Sequence, residues 1–348
     1  MEPGSDIVVN ATAFDPQNAS EGLLAMKVAS AQLDAIAPRW YRVGAAKYRD
    51  MVEKGETPWP APTYLAGAVD SGIPSSESGR EIPTRVYEPE NGRSSKGILL
   101  YFHPGGWTVS SHRHYDDELR TYANGSQLTV ISVGYRLAPE HPHPAGVHDC
   151  IAAAEHLIDH SPAKYGCPLV GIIGASAGAH LAAVTALHLA RTRPSHRLAA
   201  GLVLWYGQYD LSGDLPSRIT NDGGSPGIID RETIEKFVEV YVPGRSVEER
   251  RDPLVSPLYE DLRAVARGSS SGSLPPALFL CGADDILLDD TVLMATKWRG
   301  AGSTAEVKIY PAAPHGFNLV PGLKETDHSF ALAIAFMNRQ LGMSAEGE

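Results

Sequence analysis

Cysteine is scarce in this chain of 348 residues: only Cys150, Cys167 and Cys281 occur. Three is too few for the length and odd in number, which excludes a disulfide scaffold. Positive charge is short as well, with 30 Lys and Arg against 41 Asp and Glu, a net charge of −11 at pH 7. So acidic a chain is repelled by phosphate backbones, so nucleic acid drops out as a partner, and anionic membrane surfaces with it. Long apolar runs are missing. The longest, such as Ile98 to Phe102 and Ala199 to Trp205, fall well below the roughly 20 residues that span a bilayer, so no stable membrane insertion is expected. The N-terminus, MEPGSDIVVNATAFD, has no basic stretch leading into an apolar one. No secretory signal is visible, and a cytoplasmic, reducing location is the expectation. There is no G-x-G-x-x-G or Walker loop and no internal repeat, and no cofactor is implied. The pairs His112/His114, His141/His143 and His156/His160 lack a third ligand or a nearby Cys pair, so no metal site is expected either.

What the chain does have is 43% apolar and 20% charged residues, the balance of a soluble globular protein. Residues 1 to about 60 read as helical: Leu23, Leu24, Met26, Val28, Leu33 and Ile36 recur at helix-like intervals, continued by Trp40, Tyr41 and Val43. Pro58, Pro60 and Pro62 end that pattern. Tyr64–Val69 and Ile82–Tyr87 then flank a Ser/Gly-rich turn and suggest an antiparallel pair. Beyond them, Ile98–Phe102, Thr129–Val133, Leu169–Ile173, Leu202–Trp205, Ala277–Cys281 and Val307–Tyr310 read as strands, most of them near-continuous apolar runs as in a mostly parallel sheet covered on both faces. Helical runs separate most of them, at Asp116–Tyr122, Ala145–Ile158, Gly178–Arg191 and Leu288–Arg299, and Ser329–Leu341 follows the last, so the fold class is α/β. One stretch breaks the alternation. Between Asp210 and Leu274 there is no good strand, only Gly/Pro/Ser-rich chain around a helix near Arg231–Tyr241, the mark of a cap over a site.

The sharpest chemical signal is Gly174-Ala175-Ser176-Ala177-Gly178, set between an apolar strand and a helix. That context suits a nucleophile elbow, where small neighbours permit a strained turn and the helix N-terminus favours developing negative charge. A serine needs a base held by a third group. In the order Ser, acid, His, two histidines remain, and His315, in the loop Pro314-His315-Gly316-Phe317 after the last strand, is better framed than His328. The acid belongs to the loop after Ala277–Cys281, where Asp284 and Asp285 both stand; spacing does not separate them. Asp289 and Asp290 fall in a helix first turn and read as dipole partners. For an oxyanion hole, Ala177 N–H supplies one donor. Gly105 and Gly106, in His103-Pro104-Gly105-Gly106-Trp107 after an early strand, supply two more, whereas Pro104 has no N–H to give. Trp107, Tyr206 and Phe317 sit near strand ends and are candidate pocket residues.

Together these motifs resemble the hormone-sensitive-lipase-like branch of the α/β-hydrolase carboxylesterases, over residues 95 to 320 or so. His103–Trp107 is similar to that family's H-G-G-G-W, Gly174–Gly178 to its G-D-S-A-G, and Tyr135–Pro142 to its Y-R-L-A-P-E-H-P stretch. Asp285-Ile-Leu-Leu-Asp289 resembles D-P-L-x-D, whose first aspartate is the acid, so the resemblance selects Asp285. It implies an α/β-hydrolase fold, a mostly parallel central sheet flanked by helices with a helical cap. The cap would comprise residues 1–60 and 210–265, the core 61–209 and 266–348. Pro104, Ala175 and Ile286 depart from the family pattern; none removes a triad member or an expected donor. The implied activity is serine carboxylester hydrolysis by Ser176, His315 and Asp285 on a small-molecule ester, by a monomer or homodimer. Alternatives are an amidase such as an aryl formamidase, a lactonase or deacetylase of a secondary pathway, or a non-catalytic ligand receptor. The receptor reading is disfavoured because His315 is present.

Overall fold

The computed structural model describes residues 8–343 apart from 35, 58, 91 and 221–228. Pro58, the start of the N-terminal segment, the middle of the 210–265 stretch and residues 344–348 thus lie outside the described residues. After two short 3-10 turns, the first α-helices among the described residues are α1 (Glu21–Asp34), α2 (Trp40–Val43) and α3 (Ala45–Lys54). Strands β1 (Ala68–Pro74), β2 (Glu81–Tyr87) and β3 (Ile98–Phe102) follow, then α4 (Asp116–Ser126), β4 (Thr129–Val133), α5 (Ala145–Tyr165), β5 (Leu169–Ala175), α6 (Ala177–Thr192) and β6 (Gly201–Trp205). Among the described residues, four α-helices without an intervening strand come next, α7 (Pro216–Thr220), α8 (Arg231–Tyr241), α9 (Val247–Arg250) and α10 (Leu262–Gly268). The chain ends with β7 (Ala277–Gly282), α11 (Leu288–Gly300), β8 (Ala305–Tyr310) and α12 (Lys324–Gln340).

The eight strands form one sheet in the order β1-β2-β4-β3-β5-β6-β7-β8. Only β2 runs against its neighbours; from β4 to β8 every pairing is parallel. Side-chain alternation feeds two cores. Ile98, Leu100 and Phe102 of β3 pack toward α5 and α6, whereas Leu99 and Tyr101 pack toward α4 and α12. A strand buried on both faces must be apolar throughout, which is why these segments are continuous rather than alternating runs.

The first strand differs from expectation. It is Ala68–Pro74, not Tyr64–Val69, and it pairs from Ala68↔Tyr87 to Pro74↔Glu81. As an edge strand it buries only Ala68 and Ile73, so it tolerates the Asp, Ser and Gly that made the segment look like a turn. The upstream residues are held by a side chain instead: Leu65 N–H donates to Asp116 Oδ2 at 2.8 Å. Helix α1 also buries less than its spacing suggests, only Leu23 and Ser30, while Leu24, Val28 and Leu33 stay exposed. It is tied down at its start, where Ser20 donates through both N–H and Oγ to Glu325 of α12.

Asp289 and Asp290 do more than complement a helix dipole. Asp290 is fully buried and accepts from Tyr209 N and Asp210 N at 2.7 and 2.8 Å and from the Arg218 guanidinium. Asp289 accepts from Ser217 N at 2.7 Å. The two carboxylates fasten the chain leaving β6 onto the first turn of α11.

Candidate active site

Strand β5 runs straight into Ser176, whose backbone is forced to φ 53°, ψ −119°, before α6 begins. Such a positive φ is strained for a residue with a Cβ. It survives because its surroundings leave no alternative. A Cβ on Gly174 would lie 2.2 Å from Gly178 O, and one on Gly178 would lie 1.9 Å from Phe102 O. Ser176 N–H still donates to Trp205 O at 2.9 Å, which anchors the elbow to the sheet.

The loop after β8 brings His315 to the serine, with Nε2 3.0 Å from Ser176 Oγ. The loop after β7 brings Asp285 to the other ring nitrogen, with Oδ2 and Oδ1 2.9 and 3.1 Å from Nδ1. All three are buried, Ser176 at 7%, His315 at 5% and Asp285 at 2% exposure, so the bonds are little diluted by water. Asp285 is itself held, since Oδ1 accepts from Leu287 N–H at 2.8 Å. The two aspartates that spacing left open are thus separated: Asp284 is half-exposed and pairs with Lys27 of α1. His328 lies exposed on α12, with Nδ1 3.0 Å from Tyr310 Oη.

Three peptide N–H groups are fixed by what their own peptide carbonyls do, because C=O and N–H point opposite ways across a trans peptide. Ser176 O accepts from Ala179 N and His180 N at 3.0 and 3.2 Å, which turns the Ala177 N–H away from α6. Pro104 O lies 2.8 Å from His103 Nδ1. Burial drives this imidazole down to about 3, so it is neutral, and Nδ1 must be the donor because a carbonyl only accepts. That bond orients Gly105 N–H. Gly105 O in turn accepts from Thr108 N and Val109 N at 3.0 and 2.8 Å, which orients Gly106 N–H. The loop tolerates glycine alone at two points: Gly105 has φ 114° with Val109 O 1.7 Å from where a Cβ would sit, and Gly106 has φ 56° with the Phe237 ring 2.3 Å away.

The three aromatic candidates have different surroundings. Tyr206 packs its ring 4.5 Å from that of His315 and donates to Asn318. Trp107 and Phe317, like Tyr206, belong to the core. The Trp107 ring stacks on Tyr241 at 4.4 Å and its N–H reaches His180 Nδ1 at 3.3 Å, whereas Phe317 packs on Tyr310. A cavity of about 330 Å³ lined by His143, Val147, His148, Ile151, His188 and Leu254 shares no residue with the Ser176 cluster.

Sequence reading gave no role to Glu118 of α4. Its Oε2 accepts from Tyr101 Oη at 3.1 Å. Burial pushes this carboxyl up to about 8, against the opposing Tyr101 bond. A folded value above the unfolded one of 4.5 means that the stabilising proton is fully bound below pH 4.5 and lost as pH rises through 8. Glu118→Gln is therefore expected to flatten the fall in melting temperature between pH 5 and 9 and to raise it at pH 8. Thermal unfolding of both proteins across that range checks this; parallel curves contradict it.

A serine at a strand–helix elbow, its histidine and aspartate on the next two strand-end loops but one, and a glycine loop after β3 define the α/β-hydrolase class. The comparisons agree. A family profile described as alpha/beta hydrolase fold matches residues 99–319. The chain is 35% identical over 238 residues to Carboxylesterase NlhH of Mycobacterium tuberculosis, covering 68% of this chain and 71% of that one. It is 28% identical over 242 residues to an acetyl esterase of Salmonella choleraesuis, covering 68% and 69%. Among solved structures, a hyperthermophilic esterase from Pyrobaculum calidifontis superposes with a TM-score of 0.75 at 29% identity, over 91% of this chain and 98% of the other. The chain belongs to the α/β-hydrolase fold family, in its hormone-sensitive-lipase-like carboxylesterase branch.

Proposed function

We propose that the protein is a serine carboxylesterase that hydrolyses small, short-chain esters through an acyl-enzyme on Ser176. The reading deepens what family membership already gives, a carboxylic ester hydrolase. The observation that carries it is the unbroken line Asp285–His315–Ser176, at 2.9 and 3.0 Å, beside the three oriented N–H groups. In this reading Ser176 Oγ bonds to the ester carbonyl carbon as its proton passes to His315 Nε2. Gly105, Gly106 and Ala177 N–H receive the oxyanion. Collapse breaks the C–O bond, and the leaving alkoxide takes the proton from His315. Water then adds to the acyl-enzyme with His315 again as base, which frees the acid and restores Ser176. Asp285 keeps Nδ1–H in place and stabilises the imidazolium without accepting its proton.

Residues 1–60 and 210–265 serve in this reading as a cap on the core of 61–209 and 266–348. Support comes from the stacking of Trp40 in α2 on Phe237 in α8, rings 4.7 Å apart, and from the pressing of Phe237 on Gly106. Similarity to an acetyl esterase supports a short acyl group. Cytoplasmic action is part of the reading, and the free, buried thiols Cys150, Cys167 and Cys281 suit a reducing compartment. No helix among the described residues is long and apolar enough to cross a membrane. The test is turnover of p-nitrophenyl esters of increasing acyl length. A maximum at two to four carbons supports the reading. A folded protein that ignores all of them, and instead cleaves an anilide or a lactone, overturns it in favour of an amidase or lactonase.

A further inference from the structure

Helix α3 reaches the glycine loop through one side chain. Arg49 Nη1 donates to Thr108 O at 2.8 Å, while Nη2 pairs with Glu140. The consequence runs through two peptide planes. With its carbonyl drawn out to the guanidinium, the Thr108–Val109 peptide turns its N–H inward, where Val109 N–H donates to Gly105 O at 2.8 Å. The Gly105–Gly106 peptide, its carbonyl so engaged, turns Gly106 N–H the opposite way, out of the loop. Two peptide dipoles therefore stand head to tail, with a fixed positive charge at the outer end and the Gly106 donor at the inner end. Thr108 closes the loop further, its N–H bonding to Gly105 O and its hydroxyl to Gly106 O at 2.9 Å.

We propose that Arg49 is a positioning residue for the oxyanion hole: it sets the aim and strength of the Gly106 N–H through the Thr108 and Gly105 carbonyls. This rests on the reading of Gly105 and Gly106 as oxyanion donors. Hydrogen bonds in series polarise one another by about 10–30% per bond, and one made by a charged donor starts the chain strongly. The arrangement matters most when negative charge develops on the substrate oxygen, so it acts on the transition state rather than on substrate binding. It also makes activity depend on how α3 sits, although α3 supplies no group that touches the reacting atoms.

The test compares Arg49→Ala, Arg49→Gln and Arg49→Lys with wild type on p-nitrophenyl acetate, with Asp50→Ala on the same helix as a control. Arg49→Ala is expected to lower kcat about 10-fold, less than the 10²–10³ for outright loss of a donor, with KM within about twofold. The rate of Ser176 phosphorylation by diethyl p-nitrophenyl phosphate should fall by a similar factor, because its P=O oxygen enters the same hole. Free guanidinium at a non-denaturing concentration should restore part of the loss. Arg49→Lys should exceed Arg49→Gln in kcat by several-fold, and Asp50→Ala should match wild type. A kcat for Arg49→Ala within twofold of wild type overturns the proposal, as does a loss that tracks a lower melting temperature and ignores guanidinium. If Arg49→Ala does not fold, equal kcat for the Gln and Lys variants overturns it. His103→Phe, which removes the donor to Pro104 O, separates the two levels. If His103→Phe slows turnover and the Arg49 variants do not, the relay alone fails; if neither does, the assignment of Gly105 and Gly106 fails with it.

Discussion

Ser176→Ala is expected to lower kcat on p-nitrophenyl acetate by about 10⁴–10⁶-fold while the protein stays folded, the range seen when a triad nucleophile is removed. In the proposed mechanism the substitution deletes the atom that bonds to the acyl carbon. It leaves the peptide donors in place, so a residual rate above that in water remains. Stability should change little. Among the described residues the hydroxyl's hydrogen bond is to His315 alone, and the strained φ of 53° is borne by alanine as it is by serine. Steady-state turnover with thermal unfolding alongside checks both halves. A variant within 100-fold of wild type removes Ser176 from the mechanism.

Asp285→Asn is expected to cost about 10⁴ in kcat, and the reason is one of tautomers. Leu287 N–H already claims Oδ1 at 2.8 Å, so an asparagine would place its carbonyl there and its amide nitrogen where Oδ2 now faces His315. An NH₂ group can only donate. His315 Nδ1 would have to accept, the ring proton would move to Nε2, and Nε2 could no longer take the proton of Ser176. Asp284→Asn serves as the counterpart. Its partner is Lys27 at the surface, so kcat should stay within about twofold. Reversed results, with Asp284→Asn inactive and Asp285→Asn active, would assign the acid to the other residue.

Much of this site was readable before any coordinates. The strands behind Ser176 and Asp285 are buried on both faces, so they show as apolar runs, whereas β8, behind His315, is an edge strand with Val307 exposed; all three lie within two residues of where the sequence predicts them. The elbow glycines are legible because their Cβ atoms would strike backbone, a demand that no other residue meets. Asp284 and Asp285 were not separable by spacing. They are neighbours in one loop, and what divides them is Lys27, 257 positions away, against the buried ring of His315. Arg49 left no local signal for the same reason: on an exposed-looking helix it reads as a solvated charge, and only the fold brings Thr108 to it. The edge strand β1 was misplaced because an edge needs only one apolar face.

The central claim is that Ser176, activated by His315, attacks an acyl or phosphoryl centre held in the Gly105–Gly106 loop. Diethyl p-nitrophenyl phosphate tests it in one step: the Ser176 Oγ–P bond forms, p-nitrophenolate leaves, and the diethylphosphoryl group cannot be hydrolysed quickly. Peptide mapping by mass spectrometry is expected to find one phosphoryl group per chain, on Ser176, with esterase activity lost in proportion. An active protein that stays unmodified, or one inactivated by a label on another residue, would contradict the account.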